Sequence, residues 1–464
     1  MLSACAVLYP PTSNLTPHRR RTDASTRMTT RPEASPNTGL SDLAAASPTP
    51  VSSTLLFTAI NSGAGVATSG IYYLTDQTYG FTRTQNYALG VVLGATYIAG
   101  ALGAGPALRV LRGAVPGLSM RTVLAALMVV MGLLCLIPIT AMRMLPAPEA
   151  GALPAAWPIW VFVTLYSPLT GVLWPIVESY VSGGKRSGVL RRTIGWWNVT
   201  WSGSLVISTV ALAPFVENAA AEAIAAIFVA HLIGAALLIT FAREPQAHLQ
   251  DDAHTVPPVF AKLLVTFRML LPMSYLVATA LTPFLPSQFT RLGIAANLFT
   301  VFGSVWLLAR VACFLLMQQS SHWHGRWWPA IVAPIVLLTG FGMCVLAHQV
   351  PGLGAGVVVL GLVCFGLGMA AIYCGAIYYA MEVGSAEVEA GGAHEALIGV
   401  GYTAGPLCGL AAGALVSFGL IPEYRLEPVL LAGVGGIAVL VAIATARRVA
   451  LQTRQTRSSP LPAA

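Results

Sequence analysis

Arg310 lies inside the apolar run FTVFGSVWLLARVACFLLM, and a guanidinium placed there has few uses. It is planar, permanently charged and donates through a rigid fork that matches a carboxylate or phosphate. A central arginine costs about 2.5–3.5 kcal/mol on insertion scales. Two readings stay open: pairing with a substrate anion or a mobile carboxylate in a cavity, or snorkelling to an interface about 10 Å away. Asn61, also inside an apolar run, both donates and accepts, which suits a polar solute or a bond between helices. Tyr72, Tyr73, Trp174, Trp197, Trp201, Tyr373 and Tyr402 could line a cavity, or serve as interface anchors and packing. His231 reads as a packing histidine.

The acids keep to the edges of the apolar runs. Asp76 ends one run, Glu178 and Glu382 close two others, and His394 with Glu395 opens another. The sequence thus predicts no carboxylate deep in a span, of the kind a proton-driven symporter uses. Glu178 and Glu382 could instead meet loop cations, with Arg109, Arg112, Arg191 and Arg326 as partners, or be ordinary interfacial charges. Catalytic patterns are missing. His322 and His324 form the one close histidine pair and have no acid beside them. Cys135, Cys313, Cys344, Cys364, Cys374 and Cys408 lie singly in apolar runs, as small packers without disulfide or metal spacing. No enzyme, cofactor or metal is expected.

The elements that must position these residues follow from composition. Hydrophobic residues make up 56% of the chain, charged residues 9%, and mean hydropathy is +0.73. Soluble domains are about 25% charged, and a bilayer core takes about 20 apolar helical residues. Twelve spans are predicted, at 52–75, 85–107, 121–142, 156–178, 193–214 and 219–242, then 263–285, 294–317, 327–347, 353–380, 394–419 and 427–447. The polar connection 243–262, with Pro257 and Pro258, divides them six and six. Residues 1–50 read as a disordered tail and 449–464 as a second tail, leaving units 51–242 and 263–448. Leu2-Ser3-Ala4-Cys5 looks like a lipoprotein cleavage box but has no basic and apolar lead-in, so it is rejected. The start, Met1 or Met28, stays open.

Orientation follows from the cations. With the N-terminus inside, alternate segments that become cytoplasmic hold 20 of the 25 Lys and Arg residues. The outside segments hold Arg83, Arg143, Arg291 and Arg425. Both termini are therefore expected in the cytoplasm, with the protein in the inner (plasma) membrane. This bias also accounts for the net charge of +8 without a nucleic-acid partner.

The two halves echo each other. Tyr73-Leu74-Thr75-Asp76-Gln77 before Gly80 parallels Phe284-Leu285-Pro286-Ser287-Gln288 before Gly293, and Glu178 and Gly195 are spaced as Glu382 and Gly399. Gly401, Gly405, Gly409 and Gly413, like Gly90 and Gly94, recur at helical spacing, which lets backbones approach in lipid. Pro406 could kink its helix. The layout of twelve spans, cytoplasmic termini and a central cytoplasmic loop resembles the major facilitator superfamily over roughly 52–448. The stretches nearest its signature are Gly105-Pro106-Ala107-Leu108-Arg109-Val110-Leu111-Arg112-Gly113, which has no acid, and His322-Trp323-His324-Gly325-Arg326. The resemblance implies an all-α fold of two pseudo-symmetric six-helix bundles. It implies a cavity lined by spans one, four, seven and ten, helped by two, five, eight and eleven. Glu178 with Lys185 and Arg186 then resembles the family's inner charge network.

The expected function is a secondary transporter, a monomer that moves a small polar or amphipathic solute by alternating access, with a proton or ion as a coupling option. Alternatives are a polytopic membrane enzyme of acyl or glycosyl transferase type, or a sensor without flux.

Overall fold

The computed structural model describes residues 48–145, 153–185, 187–247, 257–383 and 388–458. The tail expected to be disordered and much of the central connection lie outside the described residues. Among those described, the structure is helical with no strand, and ten helices are long and apolar enough to cross a membrane. In hydrocarbon every backbone polar group must find its partner within the chain, which long helices achieve.

Two further crossings fall outside that set for physical reasons. The first is broken into Val51–Ala64, Val66–Ser69 and Ile71–Gln77. Glycines 65 and 70 stand at the breaks. The Gly65 carbonyl accepts hydrogen bonds from the Thr68 and Ser69 hydroxyls, at 2.8 and 3.1 Å. The fifth crossing, Ser187–Ala211, is made more polar by Arg191, Arg192, Asn198 and Ser202. The first helix turns Asn61 inward and the fifth turns Asn198 and Ser202 inward, where irregular or polar helix is tolerated beside a cavity, while Arg191 and Arg192 are exposed at the end of the fifth. With them the described chain makes twelve crossings, and the protein is an integral membrane protein.

The second and third crossings are Arg83–Ala114 and Met120–Met144, the fourth Trp157–Ser182 and the sixth Ala220–Thr240. The seventh is Pro258–Leu281, continued by Leu285–Arg291. Ala296–Gln319, Trp328–Gln349 and Gly354–Ala380 are the eighth to tenth. Val388–Ser417 and Leu426–Ser458 complete the set. The eleventh begins six residues before the expected edge at 394, which carries Glu395 two turns into the helix. Within the first half, the third helix packs on the sixth, the first on the fifth and sixth, and the second on the fourth. In the second half the tenth packs on the seventh, eighth and ninth. The halves meet chiefly where the second helix lies against the eleventh and the fifth against the eighth.

Glycine sets these contacts. A Cβ at Gly94 would lie 2.5 Å from the Tyr402–Thr403 backbone, and one at Gly409 would lie 2.2 Å from the Tyr87 ring. Gly401 and Gly405 press instead on the seventh helix, 2.5 Å from the Pro272 carbonyl and 2.2 Å from that of Leu276 by the same measure. The glycine stripe therefore serves two neighbours. The repeated hairpin has a backbone counterpart, since Gly80 and Gly293 both turn at positive φ, 62° and 68°. A side chain there would be strained by about 1–2 kcal/mol.

Two ends of the bundle differ in charge. The basic face carries Arg109, Arg112, Lys185, Arg191, Arg192 and Arg326, and the far face carries Arg83, Arg143, Arg291 and Arg425. The tightest glycine contact within the first half is Gly100, whose added Cβ would sit 1.9 Å from the Pro168 carbonyl oxygen. Gly100→Ala should cost about 1–3 kcal/mol by overpacking, lowering the melting temperature of the purified protein. Gly103→Ala, which meets nothing within 4 Å, should leave it unchanged. Equal melting of the two variants would contradict this packing.

Candidate functional site

A cavity of about 190 Å³ lies between the halves. Its walls come from the first, second, fourth, fifth, seventh, eighth, tenth and eleventh helices, with Met131 added from the third. Of the residues singled out in the sequence, it gathers Asn61, Trp174, Trp201, Arg310, Tyr373, Tyr402 and Glu395. Tyr73 is placed elsewhere. It stacks on Phe289 with ring centroids 6.4 Å apart and presses its hydroxyl toward Gly303, one layer nearer the far face. Its neighbour Tyr72 lines the cavity in its place.

Arg310 is 3% exposed and does not run to an interface. Its Nε donates to the Ser202 Oγ at 2.8 Å, and the guanidinium lies 4.3 Å from the Trp201 ring and 4.7 Å from that of Trp306. Trp306 is four residues earlier on the same helix, so one turn places ring and cation on one face. Trp201 and Ser202 bring the other half to this point. The Arg310 Nη2 is buried without a hydrogen-bond partner. Among the described residues Arg310 forms no ion pair. Asn61 has a parallel shortfall: its Nδ2 donates to the Phe57 carbonyl at 3.0 Å, while its Oδ1 has no donor.

The aromatic lining is a connected set. Trp174 meets Trp197 edge-on at 6.4 Å, and Trp201 meets Tyr373 at 5.5 Å. Tyr402 is edge-on to both Tyr97 and Tyr275, at 5.4 and 5.2 Å. His231 lies outside the cavity between the fourth and sixth helices, its Nε2 at 2.9 Å from the Tyr166 hydroxyl, which fits a packing histidine.

One expectation from the sequence is overturned here. A deep carboxylate is present: Glu395 is 5% exposed, lines the cavity, and accepts a hydrogen bond from the Tyr97 hydroxyl of the other half. Glu178 of the first half lies near enough for the two carboxyl groups to interact across the halves. Glu178 packs beside Gly391 and has one buried oxygen without a partner. Arg112 and Arg191, two of the loop cations expected near Glu178, bind Glu244 and Glu382 instead. His394, next to Glu395, has its Nε2 buried without a partner and its ring 6.2 Å from Tyr373.

Towards each end of the bundle an ion pair joins the two halves. On the basic face, Arg191 Nη2 donates to Glu382 at 2.8 Å, with the guanidinium 5.3 Å from the Tyr378 ring. On the far face, buried Glu427 accepts from Arg291 at 2.6 Å and draws Arg83 of the other half to 3.6 Å. Arg83 also donates to Ser287 at 3.2 Å. The other charged candidates do not join these pairs. Arg112 binds Glu244 at the start of the central connection. Lys185 caps its own helix end through the Tyr180 and Gly183 carbonyls, at 3.4 and 3.2 Å, and burial pulls its amine down from the ordinary range. Asp76 accepts from the adjacent Gln77 at 2.6 Å. Arg109 and Arg326 are exposed, and Arg186 lies outside the described residues.

Sequence reasoning passed over Tyr97, Tyr275, Trp306, Arg83 and Glu427. Two had a readable signal. Trp306 precedes Arg310 by one helical turn, and Glu427 is an acid opening an otherwise apolar helix.

No family model matches the chain, and no curated protein matches it. Solved structures do. A point mutant of the nucleoside transporter NupG is similar at 14% identity with a TM-score of 0.58, covering 86% of this chain and 99% of that one. A structure from work on substrate recognition in proton-dependent oligopeptide transporters is similar at 12% identity and TM-score 0.58, over 88% of this chain and all of the other. A POT family transporter in complex with 5-aminolevulinic acid matches at 12% and 0.58, over 86% and 95%. At such identities the likeness is one of fold. The chain has the major facilitator fold, all-α, with its cavity between the two halves.

The two ion pairs make opposite demands. With native cysteines replaced and Ser69→Cys as a reporter in the cavity wall, Glu382→Gln should raise labelling by an impermeant maleimide from the basic face. Glu427→Gln should raise it from the far face. The far-face effect should be larger, because its carboxylate is buried whereas the Arg191–Glu382 pair is partly exposed and worth about 0–1 kcal/mol. Labelling from the wrong face, or no change in either variant, would contradict the assignment.

Proposed function

We propose that the protein is a secondary transporter, a permease that moves a small polar or amphipathic solute by alternating access. Residues 51–242 and 263–448 rock as two bodies about the cavity. The observation that carries this reading is the cavity itself, walled by both halves, with an ion pair joining those halves towards each end. A solute held there touches both bodies, so it can bias which face opens. Breaking either pair is the small event that opens one side.

Proton coupling fits the carboxyl pair. An ionised carboxylate only accepts hydrogen bonds, so Glu178 and Glu395 can bond to each other only while sharing a proton. Losing it would set two like charges against each other between the halves, near the basic face, and favour separation there. The likeness to a structure from the proton-dependent oligopeptide transporters supports the same reading. The basic face is assigned to the cytoplasm by its excess of Lys and Arg, with both termini on that side and the protein in the inner (plasma) membrane. One chain completes the cavity, so a monomer suffices.

A transferase-type enzyme is less well supported. His322 is exposed, His324 stacks on Tyr378 at 4.2 Å between centroids, and neither lines the cavity.

The test is uptake of labelled solutes into proteoliposomes, screened with small carboxylates, amino acids, nucleosides and dipeptides. At least one class should give a signal that a pH gradient increases. Glu395→Gln, which mimics the protonated acid, should abolish accumulation driven by the pH gradient while keeping solute exchange. Absence of any solute-dependent signal would count against transport. A Gln variant that still accumulates solute on a pH gradient would remove the carboxyl pair from coupling.

A further inference from the structure

We infer that the solute is a small aromatic monocarboxylate, bound with its carboxylate on Arg310 and its ring among the aromatic side chains of the cavity. The inference rests on the reading of that cavity as the solute site, and three features of the cavity support it.

The first is an uncompensated charge. Arg310 is buried, spends Nε on Ser202, leaves Nη2 without an acceptor, and forms no ion pair among the described residues. The faces of Trp201 and Trp306 offset part of the cost of burial, but a ring quadrupole is no substitute for a counter-ion. The guanidinium fork accepts a carboxylate through two parallel hydrogen bonds, which fixes direction as well as charge.

The second is polarity along the cavity. Apart from tyrosine hydroxyls, Arg310 and Glu395 are the ionisable groups of its lining. Glu395 already accepts from the Tyr97 hydroxyl, and it disfavours an anion at its end. An acidic solute is thereby oriented with its charge on Arg310. An amine would meet the guanidinium unfavourably.

The third is size and surface. At about 190 Å³ the space falls below the range of about 300–1,000 Å³ typical of sites for drug-sized ligands. The side chains between Arg310 and Glu395 include Tyr275, Tyr373 and Tyr402. Ring faces suit a planar apolar body, by stacking and edge contacts.

The experiment compares matched acids and amides on the full chain in nanodiscs: benzoate with benzamide, phenylacetate with phenylacetamide, and indole-3-acetate with its amide. Binding is read by a rise in melting temperature and by quenching of tryptophan fluorescence, since Trp201 and Trp306 flank the site. At least one acid should bind saturably, and its amide roughly tenfold or more weakly, the loss expected for a charge-assisted hydrogen bond. Arg310→Gln should erase the difference, and Arg310→Lys should restore part of it. The wild-type comparison stands by itself should the Gln variant fold poorly. Amides binding as well as acids, no acid binding at all, or an acid preference that survives in Arg310→Gln would overturn the inference. Such results would leave the transport reading intact wherever uptake into proteoliposomes is seen with another class.

Discussion

A permanent cation held in the middle of a membrane bundle, with no ion pair among the described residues, is the constraint on which the rest of this structure depends. Hydrocarbon tolerates such a group only when the surrounding protein supplies partners or water. Here the two halves share the burden: Trp306 comes from the helix of Arg310, and Trp201 and Ser202 from the fifth helix across the interface. A charge solvated from both sides of an interface makes that interface responsive. Moving either half changes the environment of Arg310, and changing what Arg310 binds alters the preference for one arrangement over another.

The helices are shaped to allow this. Glycine lets the second and eleventh helices approach closely, while the first helix breaks at Gly65 and Gly70 beside the cavity. Contacts between the halves combine close backbone approaches with ring pairs such as Tyr97–Tyr402 and Trp201–Tyr373. Ion pairs join the halves towards the two ends, Arg191–Glu382 at one and Arg83–Glu427 at the other. The Glu178–Glu395 pair lies between the cavity and the basic face, where a proton decides whether the two carboxyl groups attract or repel.

Much of the architecture was legible in the sequence because it follows from one-dimensional signals. Apolar run length, the polar break at 243–262 and the bias of Lys and Arg carry the span pattern, and the turns at Gly80 and Gly293 share a left-handed backbone as their parallel positions implied. Arg310 and most of the aromatic lining were also readable, since an intramembrane cation or a cluster of rings has few other uses. The carboxyl pair was not. Acids in the stretch before Glu395 made it read as an interface, but the helix starts at Val388 and carries that acid inward. Glu427 was hidden for a similar reason, because an acid at a helix start looks interfacial until its partners Arg83 and Arg291 are seen. Tyr73 and Tyr72 are adjacent on a helix, and only the packing of Tyr73 on Phe289 decides which of them faces the cavity.

The account stands on the two faces opening in turn. Spin labels at Val189 and Arg326 report separation of the halves at the basic face, and labels at Glu217 and Tyr424 report it at the far face. Distances measured by pulsed electron resonance in nanodiscs, across a range of pH and in the Glu382→Gln and Glu427→Gln backgrounds, should change in opposite senses, one pair lengthening as the other shortens. Both pairs lengthening together, or neither moving under any of these conditions, would contradict it.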